Sequence, residues 1–250
     1  MIIADAILAR NDNNASPPSH VASAMTPSPS NLASMAKIAT HERVYPPAED
    51  SFLLVDALAA LWDDELARSR PKLCVELGTG SGYIACSNAL LARAHGCGGI
   101  TRTRASDVNP DAVAACRATC EAHGVSGTEC ATALGDLLEP HADALADAGG
   151  CDVLVFNPPY VVTPSEEVGG RGVEASWAGG ARGREVLDRL LLSVRRALAP
   201  RGVFLCVLLA QNDPEEVMEI MRRDGLRCSL VSSRDADEEA LFVMRCDRDA

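Results

Sequence analysis

From residue 48 the apolar positions Phe52, Leu53, Val55, Leu58, Ala59 and Trp62 recur at helical spacing. Glu49 and Asp50 fall in the first turn, where the partial positive charge of a helix N-terminus favours carboxylates. This predicts a helix laid ahead of a sheet. Short apolar runs then alternate with amphipathic stretches, predicting strands at 73–77, 102–107, 130–134 and 151–156 and helices at 82–95, 110–123, after Asp136, and from about 184 to 198. Pro200-Arg201-Gly202 turns the chain into 203–209, an unbroken apolar run that needs cover on both faces. A helix at 214–223 and strands at 228–232 and 241–246 complete the order. Such alternation predicts an α/β fold, a seven-stranded, doubly wound, mostly parallel sheet with right-handed crossovers. Ala236-Asp237-Glu238-Glu239 is too short for a crossover helix, so the last strand is expected to return antiparallel.

Residues 1–40 break this pattern. They are rich in Ser, Pro, Asn and Ala, cannot bury enough apolar area to offset their ordering entropy, and predict a disordered tail ahead of one domain at 41–250. A transit peptide is the other reading, but Arg10 and Lys37 are the tail's only basic residues and Asp5 and Asp12 balance them. The whole net charge of −12 therefore lies on the domain. An acidic domain is ill suited to a phosphate backbone, which disfavours nucleic acid and favours a basic or neutral protein segment. The ten cysteines form no C-x-x-C pair and follow no secretory signal, so most are expected in the core of a cytoplasmic, or also nuclear, protein. Cys116 and Cys120 share a helix face with His123 nearby, but no fourth ligand is evident and no metal is expected. No apolar run approaches the ~20 residues that span a bilayer.

In an open α/β sheet, ligands bind beyond the carboxyl ends of the strands. Those positions carry the chemistry here. Glu76-Leu77-Gly78-Thr79-Gly80-Ser81-Gly82 follows the first strand with a G-x-G-x-G turn that lacks the dinucleotide spacing and has no lysine for a phosphate. Asp107 ends the second strand, where a carboxylate accepts ribose hydroxyls; its plainer reading is a helix cap before Pro110. Asp136 and Leu137 end the third, placed for an adenine amine and ring. The fourth ends in Asn157-Pro158-Pro159-Tyr160, stiffened by two prolines, whose acceptors can converge on one planar NH2 group beneath the Tyr160 ring. Together these predict a site for an adenosine bearing a sulfonium.

The stretches 44–54, 154–164 and 174–180 extend the pattern, including Tyr45-Pro46-Pro47-Ala48-Glu49-Asp50 and Glu174-Ala175-Ser176-Trp177. From about 42 to 246 the chain resembles class I S-adenosylmethionine-dependent methyltransferases. Within them it is most similar to the eukaryotic and archaeal HemK-like glutamine N5-methyltransferases, which modify the Gly-Gly-Gln loop of class 1 release factors. The resemblance implies S-adenosylmethionine as cofactor, held by Ser51, Glu76, Gly78, Gly80, Asp107, Asp136, Leu137 and Asn157. It also implies glutamine binding by Asn157, Pro158, Pro159, Tyr160 and Val161, with Asn157, Pro158 and Tyr160 catalytic. A small zinc-binding activator protein is the implied partner. Pro46 replaces an expected polar residue and Ser51 an expected threonine.

Three rivals remain at this level: a DNA adenine N6-methyltransferase, which the acidic charge disfavours; a histone lysine methyltransferase, for which no base stands beside Asn157 in sequence; and a cofactor-binding scaffold without turnover. The glycine-rich segment 168–183, with Trp177, is expected to fold over the site as a lid.

Overall fold

Successive residues along the central strands join two core layers in alternation, one on each face of a seven-stranded sheet. The computed structural model describes residues 32–236 and 239–250. Strands β1 (Leu73–Leu77), β2 (Arg102–Asp107), β3 (Cys130–Leu134), β4 (Cys151–Phe156), β5 (Leu198–Leu209), β6 (Leu226–Ala236) and β7 (Glu239–Arg248) lie in the order β3-β2-β1-β4-β5-β7-β6. The first five are parallel, and β7 runs antiparallel to both β5 and β6. The predicted doubly wound sheet with a reversed last strand is therefore what the chain forms. Strand order reverses at β1, between β2 and β4, which opens a crevice at their carboxyl ends.

The helices are α1 (Glu49–Leu61), α2 (Ala67–Ser69), α3 (Tyr83–Ala94), α4 (Pro110–Ala122), α5 (Ala142–Ala148), α6 (Glu185–Ala197) and α7 (Pro214–Arg223). One layer packs α1, α3 and α4 against Cys74, Ala105, Val153, Val155, Leu205 and Val207. The other packs α6 and α7 against Val75, Leu77, Leu154, Phe204, Leu208 and Met244. Val207 and Leu208 are both fully buried on opposite faces of β5, which is why 203–209 reads as apolar without interruption. Pairing of β5 starts earlier than that run, at Leu198 opposite Cys151. A register irregularity follows, and Arg201 takes φ +66°, so Pro200-Arg201-Gly202 kinks the strand instead of preceding it.

Residues 1–31 of the expected tail lie outside the described residues. Its last nine, 32–40, are described and rest on the domain, so the boundary at 40 falls too late. Ala33 is buried and its amide donates to Ser87 Oγ at 3.1 Å, the Ser34 amide to His123 Nε2 at 2.8 Å, and the Ala39 amide to Thr119 Oγ1 at 2.9 Å. Polar side chains of α3 and α4 thus satisfy the backbone of an irregular segment. Eight cysteines are free and buried, as expected, but Cys228 and Cys246 face each other in the β6–β7 register and form a disulfide. Sheet pairing, not spacing along the chain, brings them together. No described helix is long and apolar enough to cross a membrane.

Phe204 is fully buried between the sheet and α6–α7. Phe204→Ala is expected to cost about 3–5 kcal/mol in urea unfolding. A loss under about 1 kcal/mol would mean that this layer carries little of the fold.

Candidate active site

The glycine turn after β1 is built from three left-handed residues, Gly78 (φ +63°), Gly80 (φ +52°) and Gly82 (φ +80°). At Gly82 glycine is obligatory on a second ground, because a Cβ there would lie 2.5 Å from Cys116 Cα on α4. The turn is anchored to the end of β2. Thr79 N–H donates to Ser106 O at 2.9 Å, and Gly80 N–H donates to Asp107 Oδ2 at 2.9 Å. The other Asp107 oxygen accepts from the Asn109 amide at 2.9 Å. Asp107 is not the cap of α4; Asn109 is, accepting from Asp111 N–H at 2.9 Å. Burial pushes the Asp107 carboxyl above its usual range, against the lowering effect of the Asn109 and Gly80 amides.

Glu76 lies almost wholly buried at the floor of this turn. Its Oε2 accepts from the Thr79 hydroxyl at 2.8 Å, while Oε1 is buried with no hydrogen-bond partner. Desolvation drives its pKa well above the usual value, and the Cys116 thiol beside it adds to the effect. An orphaned carboxylate oxygen at a strand end marks a place shaped for a donor from a ligand.

Across the crevice, β4 ends in Asn157, with Pro158 and Pro159 buried behind it. Asn157 Nδ2 donates to Asp50 Oδ2 at 3.0 Å, and Tyr160 OH donates to the same oxygen at 2.7 Å. Asp50 comes from the first turn of α1 and is only 7% exposed. Its Oδ1 accepts from the backbone N–H of Ser51 at 2.6 Å and from the Ser51 hydroxyl at 3.2 Å. With the amide nitrogen so committed, Asn157 Oδ1 is left as an acceptor, buried and without a partner. Pro158 and Pro159 offer no amide hydrogen to fill it. The site thus presents a fixed acceptor for an N–H donor between a glycine turn and a tyrosine ring.

No family model matches the chain. Over 202 residues it is 44% identical to "Methyltransferase HEMK2" of Mus musculus, a match that spans 81% of this chain and 88% of that protein. The chain belongs to the HemK-like methyltransferase family. It is 30% identical over 223 residues to the eRF1 methyltransferase catalytic subunit mtq2 of Schizosaccharomyces pombe, covering 86% of this chain and 93% of the relative. Among solved structures, the E. cuniculi Mtq2-Trm112 complex, described as responsible for methylating the eRF1 termination factor, aligns with a TM-score of 0.52 and 21% identity. It covers 82% of this chain and 98% of that one, and shows the shared fold.

In this HemK-like methyltransferase the remaining expected residues are placed unevenly. Leu137 stands at φ +48°, an unusual backbone for leucine that is found where surroundings over-determine it, and Ser106 Oγ donates to its carbonyl at 3.4 Å. Asp136 is engaged by Arg189 of α6 in a half-exposed ion pair. An adenine amine would have to share or displace that partner, at the small cost of a surface pair. Val161 pairs with the 168–183 segment: its N–H donates to Trp177 O and its carbonyl accepts from Gly179 N–H, each at 2.9 Å. The expected lid is thereby tied to the strand exit by main-chain bonds.

Two residues escaped the sequence reading. Asp50 was accounted for by the helix dipole alone, and no carboxylate was expected beside Asn157. Asn212, fully buried after β5, donates from Nδ2 to the carbonyls of Tyr160 (2.9 Å) and Gly183 (3.2 Å), and its Oδ1 accepts from Leu209 N–H at 2.8 Å. A polar residue just after a fully apolar strand was the available signal.

Asp50→Asn replaces an oxygen with a donor facing two donors, so Asn157 and Tyr160 lose their common anchor. Methyl transfer is expected to fall on the order of 100-fold with cofactor affinity little changed; an unaltered rate would show that Asn157 needs no anchor. Glu76 has a folded-state pKa above its unfolded value, so the native protein holds an extra proton between the two. Stability of the cofactor-free protein then falls as pH rises through that window. Glu76→Gln is expected to flatten this dependence and to raise the melting temperature at neutral pH while weakening cofactor binding; an unchanged pH profile would contradict it.

Proposed function

We propose that the protein transfers the methyl group of S-adenosylmethionine to the side-chain amide nitrogen of the glutamine in the Gly-Gly-Gln loop of a class 1 release factor, in the cytoplasm. The observation that carries this reading is Asn157 Oδ1, a buried acceptor without a partner whose orientation Asp50 fixes. An amide nitrogen is a poor nucleophile because its lone pair is delocalised into the carbonyl. Asn157 Oδ1 and the Pro158 carbonyl would take its two hydrogens and turn the lone pair out of conjugation, toward the methyl carbon. Acceptors aimed at hydrogens that grow more acidic as the bond forms favour the transition state over the ground state.

S-adenosylmethionine supplies an electrophilic methyl group on a sulfonium. The residues present fit it: Glu76 Oε1 is an unsatisfied acceptor, Asp107 faces the glycine turn, and Ser51 lies beside Asp50. The relatives named for eRF1 methylation and the Mtq2-Trm112 complex support the same substrate and a small activator, which we take to be zinc-binding. Leu134, 54% exposed on the edge strand β3, gives such a partner an apolar contact beside unpaired backbone groups. A net charge of −12 favours a protein substrate over DNA.

One observation favours a second reading. A lysine ammonium must lose a proton before methylation, and the Asp50 carboxylate stands beside Asn157 where sequence showed none. Asp50 Oδ2 already accepts from both Asn157 and Tyr160, so the amide substrate ranks first.

The test is transfer of labelled methyl to a class 1 release factor in the presence of the activator. Label is expected on the wild-type substrate, and is expected to disappear when the Gly-Gly-Gln glutamine is replaced or when the enzyme carries Asn157→Ala. Transfer to histone tails alone, with cofactor binding intact, would overturn the release-factor reading in favour of lysine.

A further inference from the structure

We propose that Cys116, Cys120 and Cys130 form a binding site for a soft monovalent metal ion, copper(I), directly beneath the glycine turn. Cys116 and Cys120 stand one helical turn apart on α4, and Cys130 opens β3. Their three sulfurs lie within 4.8 Å of one another, the only such ligand group among the described residues. The side chains are 0%, 3% and 4% exposed.

Three sulfurs around one ion at a metal–sulfur distance near 2.3 Å stand about 4 Å apart in a plane, so the cluster needs inward shifts of less than about 1 Å. Cys116 and Cys120 sit on the helix and Cys130 on the strand, so no ligand sits on a loop, which keeps the site formed before an ion arrives. Among the described residues no fourth ligand joins them. His123, which follows α4, is already committed, with Nε2 accepting from Ser34 N–H at 2.8 Å and Nδ1 against Thr119 O at 2.7 Å. Zinc sites are almost always four-coordinate, whereas thiolate-only ligands suit copper(I). Each thiol that coordinates as thiolate releases one proton to solvent, and no electron moves.

Location gives the site its interest. Cys116 Sγ lies 3.3 Å from Thr79 Oγ1, the hydroxyl that holds Glu76, and 2.9 Å from where a Cβ on Gly82 would stand. An ion here would clamp α4 to β3 under the turn that, on the functional reading above, receives the cofactor. Binding of the metal itself does not rest on that reading, so the two stand or fall by different readouts.

The probe is copper(I), offered anaerobically from a chromophoric copper(I) chelator to the full chain kept reduced by a non-thiol reductant. One equivalent is expected to move to the protein, with thiolate-to-copper absorption in the ultraviolet and an X-ray absorption shell of sulfur only. Cys130→Ala and Cys120→Ser, checked for native circular dichroism, are each expected to lower copper affinity by more than the ~10-fold that loss of a supporting partner costs. Cys206→Ala and Cys228→Ser are expected to leave it unchanged. Zinc(II) under the same conditions is expected to bind more weakly. The proposal is overturned if the chelator retains its copper against the wild-type chain, if Cys228→Ser removes binding while Cys130→Ala does not, or if zinc binds more tightly than copper(I).

Discussion

One buried carboxylate ties the site together. Asp50 receives hydrogen bonds from Asn157, from Tyr160 and from the backbone of Ser51, joining the start of α1 to the end of β4. Burying a charge is expensive, and hydrogen bonds to a charged group, about 1.5–3 kcal/mol each, are what offset it. The arrangement therefore holds only if α1 is fixed relative to the sheet. Leu54, Val55 and Leu58 are fully buried beneath it, and Arg234 of β6 reaches across to Glu49 at 2.8 Å and Asp56 at 2.9 Å. A helix outside the strand–helix alternation thus supplies the group that orients the residue at the strand end.

Two unsatisfied acceptors, Glu76 Oε1 and Asn157 Oδ1, flank the crevice opened by the strand reversal at β1. Each costs the cofactor-free fold on the order of 1–3 kcal/mol of uncompensated desolvation. The deeply packed layers of β5, with Val207 and Leu208 buried on opposite faces, carry that burden. Such a division is common where a site must be complementary to something absent from the resting chain.

What was legible in the sequence is what local pattern determines. Short apolar runs placed β1 to β4 at their observed bounds, and the shortness of the stretch before the last strand was enough to predict that β7 reverses. Strand-end logic brought Glu76, Asp107 and Asn157 to one crevice, because in a parallel sheet the carboxyl ends face one way. Contacts between distant segments were not legible. Asp50 meets Asn157 across 107 positions, Asp136 meets Arg189 across 53, and Cys228 meets Cys246 through strand register. The last residues of the supposed tail carry no helical or strand period, yet they dock because α3 and α4 present Ser87, Thr119 and His123 to their amides.

The hydrogen bond from Asn157 to Asp50 routes the effect of Asp50 on methyl transfer through Asn157. A double-mutant cycle of Asp50→Asn and Asn157→Ala, read by single-turnover methyl transfer at saturating cofactor, tests this most directly. If Asp50 acts this way, its substitution costs little once Asn157 is gone, and the two losses are far from additive. Full additivity would contradict it and would give Asp50 a role of its own, such as taking a proton from the substrate.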